Sequence, residues 1–487
     1  MTTPTIALKS TRGRWIVAAT VLGSSLAMLD GTIVNVALPH IGSSLDAQMS
    51  GLQWVLSGYT LSLASLILLA GSLGDRLGRR RMFVIGTVWF AVASVLCALA
   101  PTIAMLIVAR ILQGIGAALL TPGSLAIINA SIDENDRGAA IGLWSGLGGV
   151  ASAIGPLIGG WLVEAVGWRA VFLLNLPLAV AVVWVALRHV PESNDPDAPA
   201  KMDYVGSALA IAGLGLLTYG LIELQPLAAI AGLVAMVFFV VVERRSPHAL
   251  VPPSLFRSRV FTAANIVTLA VYAALGGVFF LLLMQLQIVA GYSPIAAGAA
   301  TIPVTLLMLV LSARAGRWAQ QHGPHLLMTI GPAIAALGLL LMLRIGPDAS
   351  YVVDVLPGVV LFGLGLSALV APLTAAVLGS VPVVQSGIAS GVNNAIARTA
   401  QLLAVAALPP LAGLSGIGVG QPEEFSSGFR IAMLICVGLL VTGAVVAAVL
   451  IRNPSSPPPA SAVTTAPRCD VTGPAIAPAP AARDGGT

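Results

Sequence analysis

Long apolar stretches separated by short polar ones occupy almost the whole chain. Runs of about 20 residues with few charges recur, the length an α-helix needs to cross a hydrocarbon core of about 30 Å. Fourteen can be drawn, at roughly 15–38, 51–73, 82–99, 103–129, 138–163, 170–188, 204–223, 226–243, 260–288, 294–313, 326–344, 353–378, 386–412 and 430–451. The pattern predicts an all-α integral membrane protein with fourteen transmembrane helices and mostly short connections. The first run follows Lys9, Arg12 and Arg14, as the core of a signal peptide would. It is too long for one and continues into Asn35-Val36-Ala37-Leu38-Pro39, so an uncleaved first helix leaving the membrane at Pro39 is expected.

The charged positions orient these helices, because lysine and arginine gather in cytoplasmic loops. With the N-terminus inside, that side collects Lys9, Arg12, Arg14, Arg76, Arg79, Arg80, Arg81, Arg137, Arg188, Lys201, Arg244, Arg245, Arg257, Arg259, Arg314, Arg317 and Arg452, with Arg468 and Arg483 in the tail. The outer loops hold only Arg169, Arg344 and Arg430. Both termini are therefore expected in the cytoplasm and the chain in the cell membrane; only the inner loop near 379–386 is uncharged.

Gly71, Gly78 and Gly86 recur at one constant offset as Gly316, Gly323 and Gly331. Both sets follow the second helix of a six-helix block and lead into the third. The echo divides the chain into a first six-helix bundle (1–190), a linker with two inserted helices (191–257), a second six-helix bundle (258–451) and a tail (452–487). The echo is degenerate, since Asp75 corresponds to Gln320 and Arg79 to Pro324. The tail is rich in Pro, Ala, Thr and Gly, cannot bury a core, and is expected to be disordered and cytoplasmic.

Composition narrows the function. The 487 residues are 57% hydrophobic and 9% charged, and the net charge of +5 belongs to loops rather than to a nucleic-acid surface. Cys97, Cys436 and Cys469 are too few and scattered for a disulfide framework or metal cluster. There is no nucleophile–base constellation and no phosphate-binding loop with its lysine, and His40, His189, His248, His322 and His325 fall at loops or helix ends. An enzyme and an ATP-driven pump are disfavoured; no cofactor, metal or nucleic acid is expected.

Ionisable residues at bilayer depth point to function. Asp30 and Arg110 each stand nine residues from an outer proline, Pro39 or Pro101, so both are expected roughly 13 Å below the outer face at 1.5 Å per residue. Equal depth and opposite sign suit pairing, although sequence does not show whether their faces meet. In the fifth helix Gly155, Pro156, Gly159 and Gly160 allow close packing and a bend. Asn35, Gln113, Asn265, Tyr272, Gln285 and Arg398 are candidate substrate-binding groups in an otherwise apolar cavity. No carboxylate lies deep in the second half, which disfavours a dicationic substrate.

The densest polar stretch is Gly71-Ser72-Leu73-Gly74-Asp75-Arg76-Leu77-Gly78-Arg79-Arg80-Arg81. It resembles the loop between helices 2 and 3 of the major facilitator superfamily. Asp30-x-Thr32-x-x-Asn35-x-Ala37-Leu38-Pro39 is similar to a pattern of the fourteen-helix drug:proton antiporter branch. Arg110 with Gln113-Gly114 resembles that family's helix 4 motif, and the Gly155-Pro156-x-x-Gly159-Gly160 run its antiporter motif, with Ala151 at the first glycine position. The resemblance implies the major facilitator fold, alternating access, and proton-coupled efflux of hydrophobic drug-like or metabolite compounds. A dedicated metabolite transporter, exporting or importing, is the alternative.

On that basis Asp30 is a proton or cation site, a permanent structural partner of Arg110, or a substrate contact. Arg110 is a charge that favours the carboxylate form of Asp30, or a structural residue. Gly71, Gly74, Asp75, Arg76, Gly78, Arg79 and Arg80 form a conformational latch holding the inner ends of the halves together in the outward-open state. The expected partners are a small-molecule substrate, protons and the lipid bilayer, with the chain acting as a monomer.

Overall fold

The computed structural model describes residues 6–194, 203–246, 251–382, 385–418 and 420–451. The expected disordered tail, 452–487, lies outside the described residues, as does part of the 191–257 linker. Sixteen α-helices follow one another, and the described residues form no β-strand beyond one isolated bridge, Ile6 with Ile132. They are α1 (Thr11–Leu45), α2 (Met49–Leu77), α3 (Arg79–Leu99), α4 (Ile103–Ser131), α5 (Glu134–Ala165), α6 (Ala170–Leu173), α7 (Asn175–His189), α8 (Tyr204–Ile222) and α9 (Pro226–Arg245). After these come α10 (Arg259–Met284), α11 (Pro294–Ala300), α12 (Ile302–His322), α13 (His325–Met342), α14 (Leu356–Gly379), α15 (Ser386–Leu411) and α16 (Pro422–Leu450).

Among the described residues twelve spans are long and apolar enough to cross a membrane, or thirteen with α2, which bends by 53° between Met49–Ile67 and Leu69–Leu77. The expected count of fourteen is therefore not reached. The segment outside this set is α15, which carries Asn393, Asn394, Arg398 and Gln401. A second correction concerns Pro39, which lies inside α1 rather than at its exit, with Asp46 ending the helix in a left-handed conformation. A proline ring costs a helix one backbone bond, and the remaining bonds of so long an element carry it past.

The helix ends follow local chemistry. Ser10, Thr102, Asp133, Asp203 and Ser258 accept backbone N–H groups at the starts of α1, α4, α5, α8 and α10. The echo of the two halves has a structural counterpart. Gly78 (φ 110°) divides α2 from α3, and Gly323 (φ 86°) divides α12 from α13, each in a conformation that favours glycine. Gly86 packs against the α4 backbone at Gly116 and Leu120, and Gly331 against the α14 backbone at Gly365.

Many large apolar side chains point outward, among them Leu227, Val180, Val92 and Val449, as a lipid-facing surface requires. Helices α1–α7 pack with one another, as do α10–α16, while α8 and α9 pair together and α8 also touches α2 and α15. Among the described residues, the hydrogen bonds between α1–α7 and α10–α16 with their flanking loops all lie at one end. Gln53 donates to the carbonyls of Val405 and Ala406, Gln287 to Val36, and Met49 N to Ile417. Ile295 N donates to Glu164. At the opposite end of α5, a Cβ on Gly138, Gly142, Gly146 or Gly149 would meet nothing within 4 Å. The two groups of helices are thus closed at one end and apart at the other.

Candidate functional site

Asp30 of α1 and Arg110 of α4 face each other across the interior of the first helix group. Arg110 Nη1 donates to Asp30 Oδ2 at 2.5 Å, and both side chains are buried. A lone ion pair in such a place would be poorly compensated for lost hydration, so the rest of the network matters. Gln113, one turn after Arg110, accepts from Arg110 Nη1 at 2.6 Å and donates to Asp30 Oδ1 at 2.9 Å. Asn175, which starts α7, donates to the same Oδ1 at 3.0 Å. Gln113 and Asn175 also both donate to Ser94 Oγ of α3, at 2.7 and 3.2 Å. Arg110 Nε donates to the Val55 carbonyl of α2 at 3.0 Å. Its guanidinium lies 4.4 Å from the Tyr59 ring centre and 5.9 Å from that of Phe172.

Five helices of the first group (α1, α2, α3, α4 and α7) thus converge on one carboxylate. Three side-chain donors point at it, and two buried polar atoms in the cluster have no partner: Arg110 Nη2 and Asn175 Oδ1. The second supplies an oxygen acceptor next to the carboxylate. A protonated Asp30 becomes a donor and needs such an acceptor, so rotation of the Asn175 amide suffices to satisfy it.

The other sequence candidates occupy different places. Asn35 donates to Gly31 of its own helix, and Asn265 accepts from Asn393 at 3.1 Å. Gln285 is fully buried and donates to the Ile345 carbonyl and Ser426 Oγ, bracing the second helix group. Gln113 belongs to the Asp30 cluster. Tyr272 and Arg398 are half-buried, and Arg398 has no hydrogen-bond or ion-pair partner among the described residues.

In α5, Gly155 and Gly159 lie against Thr32 and Ile33 of α1, beside Asp30. Gly160 faces Pro294 and Ile295, and Pro156 faces Gly298, on the other helix group. The 71–81 loop is bound within its own group. Asp75 pairs with Arg79 at 2.8 Å, and Arg80 with Glu192 at 3.6 Å. Glu192 also accepts the Arg80 and Arg81 backbone N–H groups at the start of α3.

Two helical halves joined at one end, the first with a buried ion pair in its interior, form the architecture of a membrane transporter. A family model described as Major Facilitator Superfamily matches residues 20–405, and the chain belongs to that superfamily. It is 36% identical over 426 residues to a probable actinorhodin transporter of Streptomyces coelicolor, covering 82% of this chain and 72% of the relative. It is 35% identical over 387 residues to the multidrug resistance protein Stp of Mycobacterium tuberculosis, covering 77% and 72%. The tetracenomycin C resistance and export protein of Streptomyces glaucescens is 33% identical over 427 residues, covering 85% and 79%. Among solved structures, a POT family transporter superposes with a TM-score of 0.68 at 16% identity, covering 90% of this chain and 97% of that one. A D-xylose–proton symporter gives 0.65 at 17%, covering 90% and 98%. The chain is thus a multi-pass membrane transporter of small molecules, and not an enzyme.

Proposed function

We propose that this protein is a proton-coupled efflux transporter of the cell membrane, exporting hydrophobic drug-like or metabolite compounds in exchange for protons. The observation that carries the reading is the Asp30 carboxylate, buried in the membrane-embedded interior and held by Arg110, Gln113 and Asn175. A carboxylate kept in such a place is costly, and alternating protonation makes use of that cost. Relatives named for export and resistance support the outward direction.

The arginine distribution supports a cytoplasmic location for both termini and for the 71–81 loop. The closed end then faces outward, and the arrangement described is the inward-facing one. In the cycle, Asp30 takes a proton while the cleft is open outward, keeps it on its own carboxyl in a hydrogen bond to the Asn175 amide oxygen, and releases Arg110. When the cleft opens inward the proton leaves and the ion pair with Arg110 re-forms. In this reading the protein works as a monomer in the lipid bilayer.

The test is Asp30→Asn reconstituted in proteoliposomes. Gradient-driven transport is expected to disappear while membrane insertion is retained. Full coupled transport by the variant would remove Asp30 from the coupling role and leave the ion pair as a structural one.

A further inference from the structure

The second helix group holds one charge at membrane depth that the coupling cluster does not use. Arg398 sits halfway along α15, thirteen residues from its end at Leu411. Every carboxylate of residues 258–451 (Asp348, Asp354, Glu423 and Glu424) lies at the closed end, so none can neutralise it.

The register of α15 fixes what Arg398 faces. Against α10 it runs parallel: Asn393 donates to Thr268 Oγ1, and Gly276 touches the Gln401 backbone. Tyr272, midway between Thr268 and Gly276, is therefore level with Ala397 and Arg398. Against α2 it runs antiparallel, with Gln53 bonded to the carbonyls of Val405 and Ala406. Seven residues along each helix, roughly 10 Å at 1.5 Å per residue, bring Arg398 level with Tyr59 and Thr60. Asn394 and Arg398 stand one turn apart on one face of α15.

Arg398 thus stands at the depth of the Asp30 cluster, level with Tyr59, whose ring packs against Arg110. Asp30 and Arg110 cancel, and Arg398 leaves the cleft with one uncompensated positive charge. A guanidinium in a low-dielectric site gains most from an oxygen anion, which it meets with two parallel N–H donors. We propose that Arg398, with Asn394 and the Tyr272 hydroxyl, forms an anion subsite that takes the carboxylate or phenolate of an apolar organic acid and turns away lipophilic cations. The inference rests on the transporter reading above and names its substrate class. By sign, an anion here and a proton on Asp30 support one another, so their exchange is imposed by the conformational cycle and not by direct competition.

The test is equilibrium binding to the purified full chain, with no gradient, of 2-naphthoate, 2-naphthamide and 2-naphthylmethylammonium. Wild-type protein is expected to bind the carboxylate about tenfold tighter than the amide, one charge-assisted hydrogen-bonded contact, and the ammonium weakest. Arg398→Gln should abolish the preference for carboxylate while amide affinity stays within about twofold, and Arg398→Lys should keep part of it. Equal binding of carboxylate and amide by wild type, or an unchanged ratio in Arg398→Gln, overturns the proposal. Because binding is read without a gradient, a failure of Asp30 coupling leaves this ratio readable. Equal binding of carboxylate and amide by wild type alongside intact coupling overturns only the anion assignment.

Discussion

At the scale of single residues, the site is a carboxylate whose hydrogen-bond partners come from helices far apart in sequence. Asn175 holds the least replaceable position among them, because its amide offers a donor to the ionised carboxylate and an unpartnered oxygen to the protonated one. Asn175→Leu removes both. A hydrogen bond to a charged group is worth about 1.5–3 kcal/mol, so turnover is expected to fall at least about tenfold. Transport in proteoliposomes beside equilibrium substrate binding on the same preparation checks this; wild-type turnover would make Asn175 a packing residue. Asp30 and Arg110 were legible in the sequence because a charge inside an apolar run is rare. Asn175 and Ser94 were not. Asn175 stood in the sequence only as a neutral residue among leucines, and a helical serine commonly bonds its own backbone, as Ser94 also does to Phe90. Their meeting depends on how α3 and α7 pack, which residue spacing does not encode.

At the scale of elements, α5 is the seam that links the helix bearing Asp30 to the opposite helix group. A Cβ on Gly160 would come 2.5 Å from Ile295 Cα and 2.6 Å from the Pro294 carbonyl oxygen. Backbone cannot yield as a side chain can, so Gly160→Val must push α5 and α11 apart at the closed end. Spin labels at Val166 and Ser293 are expected to show longer distances in the variant, with turnover reduced at least about tenfold, the scale of 1.4 kcal/mol. Gly149→Val, where nothing lies within 4 Å, is the control and should leave both unchanged. A wild-type distance distribution in Gly160→Val would show that the seam can repack. Most helices were legible from apolar run length alone, because a membrane span must satisfy its backbone internally over a fixed thickness. Their ends were less so. Pro39 reads as a stop but lies within α1, and the apolar run expected at 294–313 belongs to α11 and α12, which together extend to His322. Loss of the fourteenth span from the apolar set has the same root, since α15 spends polar residues on the cleft and not on lipid.

At the scale of the whole molecule, the two helix groups are joined at one end only, and the 71–81 loop lies at the other. Here Asp75 is held by Arg79, and Arg80 by Glu192 and the Val190 carbonyl, all within the first group. We propose that this loop is the latch of the opposite state, exchanging these local partners for the second group when its own end closes. The Asp75–Arg79 pair is partly exposed, and pairs of that kind are worth less than about 1 kcal/mol, so losing it should barely change stability. Asp75 is also sixteen residues beyond Tyr59 along α2, roughly 24 Å at 1.5 Å per residue, well past the screening length of physiological salt. It therefore has no direct hold on anything bound beside Tyr59 and Arg398. Asp75→Asn is expected to slow transport several-fold while substrate affinity stays within about twofold and thermal stability is unchanged. The measurement is turnover in proteoliposomes beside equilibrium binding on the same preparation. A large affinity loss with unaltered turnover would mean that the loop acts on the binding site. The latch would then be wrong even if the cleft still alternates, because a latch changes how often the halves exchange states and not what they hold.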